Sequence, residues 1–186
     1  MDVTGGWLAG ARRVPSPNSN ERPAGMAPEL IVIHNISLPP GEFGGPWIDA
    51  LFTNTLDPQA HPYFREIAGL EVSAHLLIRR DGECVQYVPF DARAWHAGQS
   101  SFCGRENCND FSIGIELEGA DDIPFADLQY QRLAEVIAAL LGAYPGLSPE
   151  RIAGHSDIAP GRKTDPGPVF DWARLHAALA TRLASR

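Results

Sequence analysis

Apolar positions along the chain change their spacing several times, and each change marks an element. Leu30-Ile31-Val32-Ile33-His34 is short, rich in β-branched residues and free of Gly or Pro, which predicts a buried strand ending on a histidine. Ser73 to Arg80 and Glu83 to Val88 flank Asp81-Gly82, the signature of an antiparallel hairpin. Ser112 to Glu118 alternates: Ile113, Ile115 and Leu117 point one way, and Ser112, Gly114, Glu116 and Glu118 the other. The small residues at 112 and 114 leave room beside Glu116 for a cleft. Leu133, Val136, Ile137, Leu140 and Leu141 recur at helical spacing and predict a helix from near Asp127, although Ala126 offers no side-chain cap. Trp172, Leu175, Leu179 and Leu183 mark a C-terminal helix.

The intervening segments are less regular. Leu38 to Gly45 is a Pro/Gly loop, and Pro46 suits the opening of a short helix through Phe52. Residues 53 to 72, with His61-Pro62-Tyr63-Phe64 as a loop segment, show no clear period. Residues 89 to 110 form a long connection carrying Trp95-His96-Ala97-Gly98, and loops of that length inside a compact domain are usually functional. Ser148-Pro149-Glu150 predicts a short helical turn, and Ile152-Ala153-Gly154-His155 the end of a short strand. Residues 1 to 28, rich in Pro, Asn, Ser and Gly, read as an ordered arm over the surface. With no internal repeat, residues 1 to 186 read as a single domain, long enough to bury a core without disulfide staples.

Charge and composition narrow the function classes. Fifteen Lys and Arg against 23 Asp and Glu give a formal net charge of −8, and no basic run or basic helix face appears. That argues against a nucleic-acid or anionic-membrane partner. The first residues lack a basic and an apolar region, and no later stretch is long enough to cross a bilayer, so the expected location is the cytoplasm. Three cysteines, Cys84, Cys103 and Cys108, agree with a reducing compartment. With His96 they also invite a zinc-knuckle reading, but their spacing is wrong for paired C-x-x-C.

The candidate chemistry lies in His34 and in the late loop His155-Ser156-Asp157-Ile158-Ala159-Pro160-Gly161-Arg162-Lys163-Thr164-Asp165. Prolines 160, 166 and 168 stiffen this loop, and Gly161 and Gly167 let it turn. Two imidazoles and a carboxylate could bind zinc with one position left open, as in catalytic sites. Glu116 is placed to take a proton from water and pass it to a leaving amine, and Lys163 to neutralise a developing oxyanion. Together these describe metal-assisted hydrolysis of an amide. Each residue also has a structural reading. A histidine ending a strand is often only hydrogen-bonded, His155 and Asp165 are not at a tight metal spacing, and Glu116 or Lys163 could be solvated charges. Trp95 could be core, His75 packed or supporting, and His61 and His176 structural. No G-x-S-x-G, P-loop or G-x-G-x-x-G motif appears.

Longer stretches carry a resemblance. They are Gly6-Trp7-Leu8, Arg12-Arg13-Val14-Pro15-Ser16-Pro17, Val32 through Gly45, His61-Pro62-Tyr63-Phe64, Val72-Ser73-Ala74-His75, Arg93 through Gly98, Cys108 through Gly119 and Gly154 through Pro168. In these the chain resembles the cytoplasmic N-acetylmuramoyl-L-alanine amidases that act on 1,6-anhydro-muropeptides, over nearly its whole length. The resemblance implies the mixed α/β fold shared with phage lysozyme-type amidases and peptidoglycan-recognition proteins, a central mixed sheet flanked by helices. It implies a zinc ion on His34, His155 and Asp165, with Glu116 and Lys163 as the catalytic pair. Tyr63 would stand near the metal, and Asn35, Trp95 and His96 on the substrate-binding rim. The implied partner is a small anhydromuropeptide, cut between the lactyl carbonyl and L-alanine in peptidoglycan recycling, with a consequence for β-lactamase regulation. Where that family carries basic side chains in its pocket, this chain has Glu71 and Asn107; Arg105 and Arg162 are the cations expected to compensate. Two rival readings remain: a non-catalytic peptidoglycan-binding protein on the same fold, and a zinc peptidase cutting within the stem peptide.

Overall fold

The computed structural model describes residues 1–185. Six strands form the central sheet, in the spatial order Ile152–Gly154, Leu30–Ile36, Ser112–Glu118, Leu76–Ile78, Cys84–Gln86 and Arg12–Arg13. The first four run parallel, the Leu76–Ile78 and Cys84–Gln86 pair is antiparallel, and Arg12–Arg13 adds in parallel at the edge. This is the expected mixed α/β architecture. The alternation in Ser112–Glu118 decides which layer covers each face. Ile113, Ile115 and Leu117, with Ile31 and Ile33, pack against Leu133, Val136, Ile137 and Leu140 of the Asp127–Ala143 helix and Leu175 and Leu179 of the Trp172–Ala184 helix. The opposite face carries Leu30 and Val32, which pack on Ala97, Cys108, Phe111, Ala153 and Ile158. Farther along that face, Leu77 and Val85 lie under Ile48, Leu51 and Phe52 of the Trp47–Phe52 helix and under Phe64.

Two long elements begin where expected, with local caps. The Asp127–Ala143 helix starts without help from Ala126, and Gln129 turns back to accept a hydrogen bond from the Ala126 amide at 3.0 Å. Asp171 caps the last helix by accepting from the Arg174 amide at 2.9 Å. Among the described residues no helix is long and apolar enough to cross a membrane.

Four local expectations are revised. The hairpin at Asp81-Gly82 is not a two-residue turn. The Gly82 amide bonds to the Arg79 carbonyl, the Arg79 amide to the Glu83 carbonyl, and only Gly82 takes a positive φ, 84°. That is a three-residue connection with a glycine bulge, which lets the left-handed position fall on glycine alone. Ser148-Pro149-Glu150 makes a turn closed by the Arg151 amide on the Ser148 carbonyl, not a helix. The patternless segment contains the one-turn helix Phe64–Ile67, too short to show a period. Residues 1–28 do more than run over the surface. Arg12–Arg13 is a strand of the central sheet, Ser19–Asn20 pairs with Arg93–Ala94, and Leu8 and Asn18 are buried. Arg22 reaches inward to donate to the carbonyls of Phe90, Asn109, Asp110 and Ser112 at 2.9–3.2 Å.

Candidate active site

Parallel pairing brings the chemistry to the carboxyl ends of adjacent strands. Glu116 and His34 are register partners, so both side chains leave the same face. Gly154 pairs with Ile33, which sets His155 beside His34. The chain then turns through the one-turn helix His155–Ile158, so the expected loop opens with a helical turn. It returns to place Asp165 on the same spot, with the Ser156 amide bonded to the Asp165 carbonyl at 2.9 Å.

The three side chains converge closely. His34 Nδ1 lies 3.0 Å from His155 Nδ1 and 3.1 Å from Asp165 Oδ2, and His155 Nδ1 lies 3.0 Å from the same oxygen. Hydrogen bonding alone does not satisfy such a triangle. His155 Nε2 is 3.1 Å from the Ala97 carbonyl, which only an N–H can approach, so neutral His155 turns the lone pair of Nδ1 inward. The inward lone pairs of His155 and Asp165, 3.0 Å apart with His34 Nδ1 beside both, repel one another unless a cation sits among them. Ligands about 2.0 Å from a tetrahedral ion stand about 3.3 Å apart, close to the separations seen here. The donor set therefore fits a divalent metal of the zinc type. Burial supports the neutral imidazole that a ligand must be: desolvation lowers the His34 pKa to about 4, against the pull of Asp165. Burial alone would push Asp165 up, but the adjoining His155 and His34 rings outweigh it and hold the carboxyl below its ordinary range.

Glu116 is buried, and among the described residues its Oε2 has no hydrogen-bond partner. Desolvation first, then the Asp165 charge, raise its pKa well above the ordinary carboxylate value, while Lys163 pulls the other way. A buried carboxyl with a free oxygen beside such a cluster of donor atoms is poised to exchange protons. A cleft of about 600 Å³ holds all of this. Its lining includes His34, Glu116, His155, Lys163 and Asp165, and also Asn35, Tyr63, Trp95, His96 and Arg162.

Residues 24–168 match the family described as N-acetylmuramoyl-L-alanine amidase. The chain belongs to that amidase family. A relative from Escherichia coli K12, the 1,6-anhydro-N-acetylmuramyl-L-alanine amidase AmpD, is 67% identical over 175 residues, covering 94% of this chain and 95% of its own. The crystal structure of a selenomethionine AmpD derivative superposes with a TM-score of 0.94 at 66% identity, covering 96% of this chain and 99% of that one. The E. coli amidase AmiD, solved with anhydro-N-acetylmuramic acid-L-Ala-D-γ-Glu-L-Lys, superposes with a TM-score of 0.59 at 30% identity, covering 85% of this chain and 60% of that one.

The rim of this amidase's cleft differs from the sequence expectation at several points. Arg105 is not in the lining: its guanidinium pairs with Glu29 at 2.7 Å and lies over the Phe111 ring at 3.9 Å. Arg162 lines the cleft and donates from Nε and Nη2 to the carbonyls of Ala97 and Gln99 at 2.6–3.1 Å, which ties the 97–99 segment to the loop that carries His155 and Asp165. Arg105 is therefore no replacement for basic groups at Glu71 and Asn107, while Arg162 is in the cleft but partly engaged. Glu71 is exposed between Leu70 and Val72 of the lining, and Asn107 sits in a separate depression with Gln99, Ser100 and Arg162. Asn35 is held by Asp121, to which its amide donates at 2.7 Å, and Trp95 Nε1 donates to Asn20 at 2.7 Å. His96 does not leave its ring nitrogens on the rim; they contact His34 at 2.9 Å and Ser112 Oγ at 3.1 Å. Its ring fills the space that Ser112 and Gly114 leave open, so those small residues make room for a histidine rather than for solvent. His75 is structural: its Nδ1 accepts from the Gly114 amide at 3.0 Å. Cys84, Cys103 and Cys108 are free, and none belongs to the His34, His155 and Asp165 cluster. Asp121 and Arg22 carry no motif of their own, and Asn109 lies in a family-like stretch without a role legible there; their roles come from folding.

Proposed function

We propose that the protein uses zinc to hydrolyse the amide between the lactyl carbonyl of 1,6-anhydro-N-acetylmuramic acid and the first L-alanine of the stem peptide. The observation that carries this is the triangle of donor atoms, 3.0–3.1 Å on each side, beside the unpartnered oxygen of Glu116 in one cleft. His34, His155 and Asp165 would hold the ion. Zinc bound there supplies Lewis acidity, bringing the pKa of water toward about 7 and polarising a carbonyl. Glu116 takes a proton from the attacking water and delivers it to the L-alanine nitrogen as the C–N bond breaks. The lactyl carbon keeps the water oxygen and becomes a carboxylate, and the peptide leaves as a free amine. The Lys163 ammonium offsets negative charge developing on the carbonyl oxygen. Asn35, Tyr63, Trp95 and Arg162 form walls that orient the substrate, and Arg162 also fixes the 97–99 segment behind them.

The anhydro sugar is assigned through the E. coli relative, whose name specifies it, and through the solved AmiD complex. We place the reaction in the cytoplasm, on recycled wall fragments, where the free cysteines would stay reduced. Clearing those fragments would also alter the muropeptide signals that govern β-lactamase induction. Mass spectrometry of the products after incubating zinc-loaded protein with anhydromuramyl tripeptide tests the central claim. The expected products are the intact tripeptide and anhydro-N-acetylmuramic acid. Unchanged substrate would support a binding protein instead, and a cut within the tripeptide would support a peptidase.

A further inference from the structure

The outer nitrogens of both imidazoles end on consecutive residues of one segment. His155 Nε2 meets the Ala97 carbonyl at 3.1 Å, and His34 Nε2 meets His96 Nδ1 at 2.9 Å. The His96 ring stands at 89° to that of His34, with centroids 5.0 Å apart, so the contact is edge-on and suited to a hydrogen bond in the ring plane. On its other side His96 Nε2 is 3.1 Å from Ser112 Oγ. Asn109 clamps this segment: its buried Oδ1 accepts from the amides of both His96 and Ala97, at 3.1 and 2.8 Å. Behind the ring is Gly114, where an added Cβ would come within 2.4 Å of His96 Cγ.

We infer that His96 is a positioning residue of the metal site, accepting the Nε2 proton of His34 and so fixing the tautomer whose Nδ1 lone pair faces the ion. The direction of the chain follows from the donors available. His34 must keep Nδ1 unprotonated to act as a ligand, so in the neutral ring Nε2 carries the proton. His96 Nδ1 then accepts, and His96 Nε2–H points to Ser112 Oγ. Ala97 does the same for His155 through a backbone carbonyl, and Asn109 holds both supports in register. Outer partners of this kind orient a ligand and raise its basicity, and losing one costs about 10–100-fold in metal affinity. The inference rests on His34 being a zinc ligand.

The test is zinc affinity, measured by competition with a chromophoric chelator on the full chain. In His96→Leu, which keeps bulk but no acceptor, zinc should bind about 10–100-fold more weakly than in the parent. In His96→Asn, whose Oδ1 falls where Nδ1 was, affinity should recover to within a few-fold of the parent. ¹⁵N-histidine spectra of the zinc-loaded parent should show a slowly exchanging Nε2 proton on His34, lost in His96→Leu and restored in His96→Asn. Parental affinity in His96→Leu would overturn the inference, as would equal weakening in both variants, which points to packing alone. A parent that binds no zinc would instead overturn the proposed function.

Discussion

Gly114→Ala is a one-carbon change on a strand, and the structure assigns it a cost at the metal site. No positive φ is recorded for Gly114, so the backbone accepts alanine, and relief of glycine's entropy alone would stabilise by about 0.4–1 kcal/mol. Against that, the new Cβ lands 2.4 Å from His96 Cγ, 2.6 Å from Nδ1 and 2.7 Å from Cδ2. Ordinary contact would require the ring to withdraw by about 1 Å. It cannot do so freely, because the His96 amide is bonded to Asn109 and the ring to His34 and Ser112. A shift of that size would stretch the 2.9 Å contact with His34 beyond hydrogen-bond range. Overpacking of about 1–3 kcal/mol and a lost hydrogen bond of about 1 kcal/mol, less the entropy gain, leave a net loss of roughly 1–3.5 kcal/mol, centred on about 2.5 kcal/mol. For a domain of this size that lowers the melting temperature by about 5–10 °C. The assay is calorimetry of metal-free protein beside zinc titration. Gly69→Ala, where a Cβ meets nothing within 4 Å, serves as the control. In a His96→Ala background the same Gly114→Ala change should cost nothing or stabilise, since the ring it strikes is gone. Unchanged melting and zinc affinity in Gly114→Ala, or an equal cost with and without the His96 ring, would refute the reasoning.

Glu116→Gln should keep zinc while turnover falls about 10²–10⁴-fold, read in single-turnover assays. It should also stabilise metal-free protein near neutral pH. Burial raises the Glu116 pKa, so its contribution is fully present below the unfolded carboxyl value of about 4.3 and is lost as pH rises through the folded value. The advantage of the glutamine variant should therefore vanish by about pH 4; an advantage that persists there would point to packing rather than ionisation. Asp165→Ala removes one corner of the donor triangle and should abolish stoichiometric zinc and hydrolysis together, as measured by metal analysis and product release. Arg105→Ala should leave KM at the parental value, because its charge is outside the cleft. Arg162→Ala frees the 97–99 segment and should lower kcat/KM by about tenfold, the equivalent of one charged hydrogen bond of about 1.5 kcal/mol; equal effects of the two variants would contradict this placement.

Much of the frame was legible because period is a local property. The run from Leu30, the alternation from Ser112 and the helical spacing from Leu133 each require one burial pattern, and each appears as expected. The hairpin was legible in place but not in turn type, which depends on which residues can adopt a positive φ. The N-terminal arm was not legible because two-residue strands carry no period, and Arg12–Arg13 joins the sheet through backbone pairing and the ion pairs of Arg12 with Asp49 and Glu83 rather than through an apolar pattern. His96 and Arg162 were legible as neighbours of the site. Their partners were not, since a side chain's direction depends on what lies across the fold.

By itself the sequence determined the strands and helices with strong periodicity, the charge balance and the set of residues able to bind a metal and move a proton. It also determined the family, through motifs long enough to exclude coincidence. Only the tertiary structure decided that His34, 121 positions from His155, would lie 3.0 Å from it across two parallel strands. It also decided that Ser112 and Gly114 would make space for the His96 ring instead of for substrate. The physical reason is that covalent order fixes which side chains are available. Strand register, and the burial that enforces it, fixes which of them meet.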